Sequence, residues 1–355
     1  MKLGLGLYRR MLTTQNFRFA KQAGCTHIVA HLVDYFPEGK LHGTDNTRTW
    51  GVTQNQGRLW SEEELSDLKR AINAEGLELE AIENFDPSHW HDVLLDGPQR
   101  EQQLEGLKTI IRRMGKVGIP VVGYNFSLAG VWAHREVPCA RGGAIAVEFE
   151  ALPEDQQPPI PHGQVWNMTY DPDAQTGNIG TVTEKQLWDR LSHFLNELVP
   201  VAEDSGVRLA AHPDDPPMPT LRHTARLVHQ SRYYDRLLEL VPSSANALEF
   251  CLGSLQEMTE GNVYEAVDHF SSLGKIAYIH FRNVRGKVPH YKEVFVDEGD
   301  LDMLKVLKIL KKNNYQGVII PDHTPQMDCA APWHAGMAHA LGYIRAAIQT
   351  LEETE

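Results

Sequence analysis

The sequence predicts an α/β fold of the TIM type, a (β/α)8 barrel with a long insertion after the fourth strand. Eight short apolar runs alternate strictly with stretches of helical periodicity along the 355 residues, as expected for a parallel sheet covered by helices. Eight is the number of strands that closes such a barrel. No Gly-x-Gly-x-x-Gly follows the first run, which argues against an open nucleotide-binding sheet. We therefore expect residues 1–355 to form a single barrel domain.

The predicted strands are rich in apolar and β-branched residues and are bounded by Gly, Pro or Asn. In chain order they are Lys2 to Tyr8, Thr26 to Leu32, Leu77 to Asn84, Pro120 to Phe126, Val207 to Pro213, Ala245 to Cys251, Lys275 to Asn283 and Gly317 to Asp322. Helices are predicted to begin near Thr14, Ser61, Pro98, Thr183, Arg232, Asn262, Asp300 and Trp333. At the second of these starts, Ser61 and Glu64 have the spacing of a capping box, which favours a helix beginning there.

The segment 127–180 interrupts this alternation. It contains no long periodic run, and prolines and glycines are dense, as in PEDQQPPIPHGQ. A connection of this length is unusual in a compact domain. We expect an insertion that covers the mouth of the barrel or joins subunits, and a passive, poorly ordered loop is the alternative.

Composition excludes several classes of partner. The formal net charge of −13 and the lack of a basic run disfavour nucleic acid and anionic membrane surfaces. The four cysteines show no CxxC pairing, which predicts reduced thiols in a cytoplasmic protein. No run of about 18 apolar residues occurs, so we do not expect the chain to enter a membrane. A small anionic substrate would need a cation or an arginine to offset the repulsion.

Polar side chains end four consecutive predicted strands, the fifth to the eighth. They are His212, Cys251, His280 and Asp322. Carboxyl ends of barrel strands meet at one opening, so we expect these groups to lie close together. Two imidazoles, a thiolate and a carboxylate suit Mn, Fe, Co or Zn better than Ca or Mg. Each residue alone more often has a structural role, but the set predicts a metal site.

Two further side chains lie next to these predicted ligands. Arg282 comes two residues after His280, hence on the same face of a continuing strand, where a guanidinium could bind a substrate carboxylate. A salt bridge to a neighbouring strand is the alternative role for Arg282. His323 follows Asp322 directly and is a candidate for proton transfer.

The segments HPDDPP, CLGS, HFRNV, EGDLDM and PDH resemble those of the D-mannonate dehydratase family, metal-dependent lyases with a xylose-isomerase-like barrel. The similarity extends through IPVVGYNF and Trp132 and covers nearly the whole chain apart from the insertion. It implies a divalent metal, usually manganese, bound by His212, Cys251, His280 and Asp322, with His323 as the acid/base histidine. It also implies dehydration of an aldonic acid to a 2-keto-3-deoxy acid, with Arg282, Asn283, Trp132 and Asn125 as substrate contacts.

The sequence departs from the family pattern at residues that are expected to contact the substrate. Where the family usually has Pro-Gly-Tyr after the PDH segment, this chain has Pro332, Trp333 and His334, so the second acid/base group is either His334 or absent. A stretch like Asp-Trp-Thr-Arg is replaced by the residues from Val131 to Arg135. A family histidine near Phe295 is also missing. These changes predict altered selectivity among sugar acids.

Three functions remain open on the sequence. The first is a dehydratase for D-mannonate or a related aldonate, a step of hexuronate catabolism. The second is a metal-dependent isomerase or epimerase on the same barrel, because a metal and a base can move a proton without expelling hydroxide. The third is a non-catalytic barrel that binds a sugar acid or a protein partner. A homo-oligomer, a dimer or larger, is expected in each case.

Overall fold

Eight parallel strands close into a barrel whose strand order follows the chain. The computed structural model describes residues 1–35, 51–53 and 57–353. The barrel strands are β1 (Lys2–Leu7), β2 (His27–Ala30), β3 (Glu78–Glu83), β4 (Val121–Tyr124), β5 (Arg208–Ala211), β6 (Asn246–Cys251), β7 (Ile276–His280) and β8 (Val318–Ile320). Strand β8 pairs with β1 and completes the ring. The predicted (β/α)8 barrel is therefore confirmed.

Helices surround the barrel. They are α1 (Thr14–Gln22), α2 (Glu62–Ala74), α3 (Pro87–Leu95), α4 (Arg100–Val117), α5 (Glu184–Ser205), α6 (Tyr233–Leu240), α7 (Leu252–Glu257), α8 (Val263–Ser272), α9 (Met303–Lys312) and α10 (Pro332–Glu353), with short 3-10 helices at Arg9–Met11, Arg141–Gly143 and Glu154–Gln156. In the described part of the chain no helix is both long and apolar enough to cross a bilayer.

Local sequence explains where several helices begin. Ser61 and Glu64 exchange two hydrogen bonds at the start of α2, and Thr183 and Gln186 do the same at the start of α5. These reciprocal bonds satisfy backbone N–H groups that the first helical turn leaves unpaired. The predicted starts near Ser61 and Thr183 are confirmed.

Two helices were not predicted from the sequence. Helix α3 is buried on most of its surface and contains a non-helical residue, Trp90, so it shows no polar face. Helix α7 has only six residues, too few for a periodic pattern to emerge. Both follow a barrel strand closely, in stretches where no helix was predicted.

The prediction that the seventh strand continues to Asn283 is wrong. Strand β7 ends at His280, and Asn283 begins a separate antiparallel hairpin, Asn283–Lys287 with His290–Val294. This hairpin pairs with Ala146–Glu150, which pairs with His134–Val137. The four strands form one antiparallel sheet, here called the mouth sheet. Residues from the insertion 127–180 therefore pair with the connection that follows β7.

Two smaller hairpins complete the strands. They join Gln164–Val165 to Met168–Thr169 and Thr220–Leu221 to Thr224–Ala225. The barrel interior is filled by a buried cluster made only of strand residues, Val29, Ala81, Val121, Ala210, Ala247, Ala277, Tyr278, Val318 and Ile320. Small residues dominate this cluster and leave room for polar side chains nearer the carboxyl ends of the strands.

Candidate metal centre and active-site cavity

Three of the four predicted ligands meet at the carboxyl ends of β5, β6 and β7. One ligand atom from each of His212, Cys251 and His280 lies within 4.8 Å of the other two. His212 follows β5 directly, while Cys251 and His280 are the last residues of β6 and β7 and are paired in the sheet. The parallel register therefore brings side chains that are far apart in sequence to one point.

Hydrogen bonds set the tautomers of both imidazoles. Nδ1 of His212 lies 2.6 Å from the carbonyl oxygen of Pro213, and a carbonyl can only accept, so Nδ1 carries a proton and Nε2 is the nitrogen left to bind a metal. Nε2 of His280 lies 3.2 Å from a carboxylate oxygen of Glu83 and 3.2 Å from one of Glu249. The proton of His280 is therefore on Nε2. Partners of this kind fix metal-binding histidines in proteins.

The remaining nitrogen of His280 provides a test of whether a cation fits. Nδ1 of His280 is buried and has no hydrogen-bond partner among the described residues. A buried lone pair without a partner is costly in a folded protein. A divalent ion held by His280, His212 and the Cys251 sulfur would satisfy it, so the donor set fits the predicted metal.

The environment of Cys251 favours a thiolate. Burial alone would raise the pKa of this thiol, but Arg282, His212 and His280 together lower the pKa well below its usual range. Nη2 of Arg282 lies 3.3 Å from the sulfur, and the hydroxyl of Ser254 lies 3.2 Å away. A thiolate is the form of cysteine that binds metal ions.

Asp322 lies beside His212, Cys251 and His280, but it is not part of the group whose ligand atoms all lie within 4.8 Å of one another. Its Oδ2 is 3.4 Å from Nδ1 of His280 and 3.3 Å from Nε of Arg282. The backbone of Asp322 has φ +63°, a left-handed conformation that non-glycine residues adopt rarely and often at functional sites. Asp322 is thus adjacent to the three residues, and its role as a fourth ligand stays a prediction.

Arg282 is surrounded by protein acceptors, which differs from its predicted role. Its two Nη atoms donate to Asp215 at 2.7 Å, Glu293 at 2.8 Å and Glu257 at 3.0 Å. The side chain is only 1% exposed. Because both Nη groups donate to protein carboxylates in this buried position, the clamp on a substrate carboxylate stays a prediction for Arg282. Arg282 instead organises the carboxylates behind the ligands.

His323 lies between two carboxylates. Its Nδ1 is 3.1 Å from both oxygens of Glu293, and its Nε2 is 3.5 Å from Oδ1 of Asp322. Burial alone would lower the pKa of His323, but Asp322 and Glu293 raise the pKa to about 9. The imidazole is therefore held in its protonated form.

A cavity of about 870 Å3, including its part open to solvent, lies over the candidate metal centre. It is lined by Tyr8, His31, Tyr35, Glu83, Asn84, Asn125, Val131, His134, Arg135, Glu136, Val147, Trp166, His212, Asp215, Glu249, His280, Asp322 and His323. Of the predicted substrate contacts, Asn125 lines this cavity, where its Nδ2 donates to the carbonyl of Pro213 at 3.2 Å.

Three other predicted site residues lie outside the cavity lining. Nε2 of His334 is 3.0 Å from Asn16 on the outer helix α1, because Pro332 starts α10 and turns the chain away. The amide of Asn283 donates to the carbonyls of Val296 and Leu301 and so fixes the connection after the hairpin. Trp132 is 1% exposed. Catalysis by His334 and substrate contacts from Asn283 and Trp132 are therefore not supported.

Several lining residues escaped the sequence prediction. Tyr8 and His31 follow β1 and β2 directly, and Glu83 ends β3, so the strand-end rule applied to the first half of the barrel would have found them. Glu249 comes two residues before Cys251, which places both on the same face of β6. His134 carried no such signal, because it lies within the insertion, as do Arg135, Glu136, Val147 and Trp166 in the same lining.

Similarity to known proteins extends over nearly the whole chain. The sequence profile of the D-mannonate dehydratase (UxuA) family matches residues 1–353. The chain belongs to the D-mannonate dehydratase family. Mannonate dehydratase of Geobacillus thermodenitrificans is 30% identical over 311 residues, which cover 81% of this chain and 82% of the relative. Mannonate dehydratase of Lactococcus lactis subsp. cremoris is 29% identical over 323 residues, 84% and 89% of the two chains.

Solved structures show the same fold. Mannonate dehydratase from Streptococcus suis serotype 2 superposes with a TM-score of 0.76 at 24% identity and covers 100% of this chain and 95% of its own. An L-ribulose 3-epimerase gives a TM-score of 0.58 at 13% identity, with 99% and 95% covered. The resemblance to the D-mannonate dehydratase family stated from the motifs is thus confirmed.

Proposed function

We propose that this chain is a metal-dependent hydro-lyase that dehydrates D-mannonate, or a closely related aldonic acid, to 2-keto-3-deoxy-D-gluconate or its counterpart. The observation that supports this most is the meeting of His212, Cys251 and His280 under a cavity large enough for a sugar acid. Membership of the D-mannonate dehydratase family makes dehydration the first activity to test.

The proposal assigns the metal to His212, Cys251, His280 and Asp322. Manganese is the first candidate, with iron, cobalt and zinc as the others, because these ions accept mixed nitrogen, sulfur and oxygen ligands. When bound, the ion supplies positive charge that favours loss of a proton next to the substrate carboxylate. The carboxylate of Glu83, which accepts the His280 proton, keeps that ligand oriented.

His323 is proposed as the group that protonates the departing C3 hydroxyl. Both of its ring nitrogens face carboxylates, Glu293 and Asp322, and these charges favour the protonated ring. A proton delivered to the leaving oxygen lets it depart as water, which general acid catalysis typically accelerates by a factor of about 100 to 10,000. Asn125, in the cavity wall, is available to bind a substrate hydroxyl.

Product analysis separates this activity from isomerisation or epimerisation. Incubation with D-mannonate is expected to form a 2-keto acid that reacts with semicarbazide, and mass spectrometry should show loss of one water. A product with the mass of the substrate would instead indicate the isomerase or epimerase alternative. The fold alone supports that alternative, through the likeness to an L-ribulose 3-epimerase.

Metal analysis of two cysteine variants tests the ligand set. Cys251→Ser replaces a soft thiolate with a poorly ionised hydroxyl and should lower the metal content and abolish turnover. Cys329→Ser, at an exposed cysteine, is the matched control and should keep both. If Cys251→Ser retained full metal content and turnover, the assigned centre would be wrong, and a non-catalytic binding barrel would have to be considered.

We further propose that residues 1–355 act as one domain, with the insertion 127–180 closing part of the cavity mouth.

The active protein is a homo-oligomer, a dimer or larger, and analytical sedimentation would measure its size. The setting is the cytoplasm, in the breakdown of hexuronates, and a strain lacking the gene would then fail to grow on a hexuronate as its carbon source.

A further inference from the structure

His134 brings a further imidazole to the cavity from the mouth sheet. Its position in that sheet is set by register, because His134 is paired with Phe149 and Phe149 is paired with Tyr291. Directly paired residues point to the same face of a sheet. His134 and Tyr291 therefore lie on one face, on either side of the Phe149 ring, and their side chains meet at 2.7 Å.

A chain of hydrogen bonds fixes this imidazole. Asp215 is charged, because the Arg282 guanidinium donates to its Oδ2 at 2.7 Å. The hydroxyl of Tyr291 donates to the other oxygen of Asp215, also at 2.7 Å. A tyrosine hydroxyl has one proton, and that proton is used for Asp215. Nε2 of His134 must therefore donate its own proton to the Tyr291 oxygen.

The other ring nitrogen of His134 keeps a lone pair. Burial lowers the pKa of His134, so the ring is neutral, with its proton on Nε2 and none on Nδ1. Among the described residues Nδ1 has no hydrogen-bond partner, yet it is not sealed from solvent. His134 lines the same cavity as His212, His280 and His323. A neutral imidazole held in one tautomer by a hydrogen-bond acceptor on its other nitrogen is the arrangement of a general base.

We propose that Nδ1 of His134 is the general base that removes the C2 proton of the substrate. This inference rests on the proposed dehydratase function, and it fills the role left open when His334 proved to lie against Asn16 on the outer helix α1. His134 and His323 would then divide the two proton transfers. Tyr291 and Asp215 act as positioning residues, since the Tyr291 oxygen accepts the His134 proton and its own hydroxyl donates to Asp215.

The proposed step balances in atoms and electrons. Nδ1 takes the C2 proton, and the electrons of the C2–H bond form a double bond between C2 and C3. The C3–O bond breaks, its electrons leave with the oxygen, and a proton from His323 completes a water molecule. The resulting enol becomes the 2-keto acid when its O2 proton is lost and C3 gains a proton. The net change is loss of one water, and no oxidant or reductant is needed.

The primary test replaces His134 by Gln, whose amide can still donate to Tyr291 but carries no basic nitrogen. We expect kcat to fall at least about 100-fold, with KM changed by less than about threefold and metal content unchanged. His290→Gln is the matched control, because His290 is an exposed neighbour of Tyr291 on the same strand. It should retain wild-type kinetics. A His134→Gln enzyme with more than half of the wild-type kcat would overturn the inference.

Two further measurements exclude a merely structural role for His134. In His134→Gly, added imidazole should restore part of the lost kcat, since a free base can enter the vacated space. In the unaltered enzyme, a bound 3-deoxy aldonate, which cannot lose water, should place C2 within about 3.5 Å of Nδ1 in a crystal structure. C2 on the far side of the cavity from His134 would refute the assignment even if neither variant folded.

The outcomes also separate this inference from the proposed function. If the wild-type enzyme dehydrates an aldonate and His134→Gln does so equally well, only the role of His134 fails. If the wild-type enzyme, loaded with manganese, dehydrates none of a panel of aldonic acids, the proposed function fails and the inference fails with it.

Discussion

Glu83 links the candidate metal centre to the opposite wall of the cavity. One of its carboxylate oxygens accepts from Nε2 of His280 at 3.2 Å, and the other lies 3.6 Å from Nε2 of His31. Burial alone would raise the pKa of Glu83, but His31 and His280 lower the pKa to about 2. The carboxylate therefore stays charged and makes His280 a stronger ligand.

Glu83→Gln tests this support for His280. The neutral amide keeps the volume but weakens the hold on the His280 proton, so metal affinity should fall about 10 to 100-fold, as is typical for partners of ligating histidines. Competition with a chelator would measure the change. Glu78→Gln, at an exposed position of the same strand, serves as control. Equal affinities for the two variants would contradict the role assigned to Glu83.

Strand-end residues are the part of the site that a sequence can predict. His212, Cys251 and His280 were found because each closes an apolar run, and the barrel brings such ends together. The surroundings of Arg282 are harder to predict because β7 stops at His280, so the alternation of faces no longer applies two residues later. Its surroundings depend on Glu257 and Glu293, whose positions come from tertiary packing that no local pattern encodes.

At the level of single elements, β4 illustrates how the barrel accommodates charged groups. Gly123 lies in β4, and a Cβ at this position would clash with the carboxylate of Glu249 and the hydroxyl of Tyr278. A glycine is therefore needed for the close approach of these side chains rather than for its backbone freedom.

Gly123→Ala should be destabilising because the added methyl group overpacks the interior. Such insertions typically cost about 1 to 3 kcal/mol of unfolding free energy, which urea denaturation would measure. Displacement of Glu249 should also disturb His280 and lower metal affinity. Gly342→Ala is the control, since Gly342 lies in α10 with open space around it and alanine favours helix there. A neutral Gly123→Ala would show that the interior is looser than described.

Elements with strong local signals were predicted well, and those without were not. The eight barrel strands and the capped starts of α2 and α5 follow from apolar runs and capping sequences. The mouth sheet could not be foreseen, because its pairing joins the insertion to a hairpin more than a hundred residues away. Long-range antiparallel pairing has no counterpart in a local pattern.

At the scale of the whole molecule, imidazoles that fold into desolvated positions link stability to pH. His27 in β2 is a partly buried example, lying at the end of the barrel away from the cavity. Burial, with the charge of Lys2, lowers the pKa of His27 to about 4, against about 6.5 in an unfolded chain. Below pH 6.5, therefore, His27 binds a proton in the unfolded chain but not in the folded chain. The protein loses stability as pH falls from 6.5 towards 4, and the contribution of His27 to stability is constant above pH 6.5.

His27→Gln should remove this part of the acid sensitivity. Relative to the wild type, the variant should gain stability as pH falls from 7 to 4.5, by an amount on the order of 1 kcal/mol, since the side chain is partly accessible. Thermal unfolding at a series of pH values would measure the difference between the two proteins. A difference that stays constant over this range would show that His27 does not contribute.

The mouth sheet ties two distant stretches of chain into one unit. Strand His134–Val137 comes from the long excursion after β4, and strand His290–Val294 from the excursion after β7, with Ala146–Glu150 hydrogen-bonded to both. Neither excursion can therefore diverge freely. Replacing one of these excursions with a new recognition loop would therefore require replacing the other as well. A single replacement would remove the strand pairing that holds His134 in position.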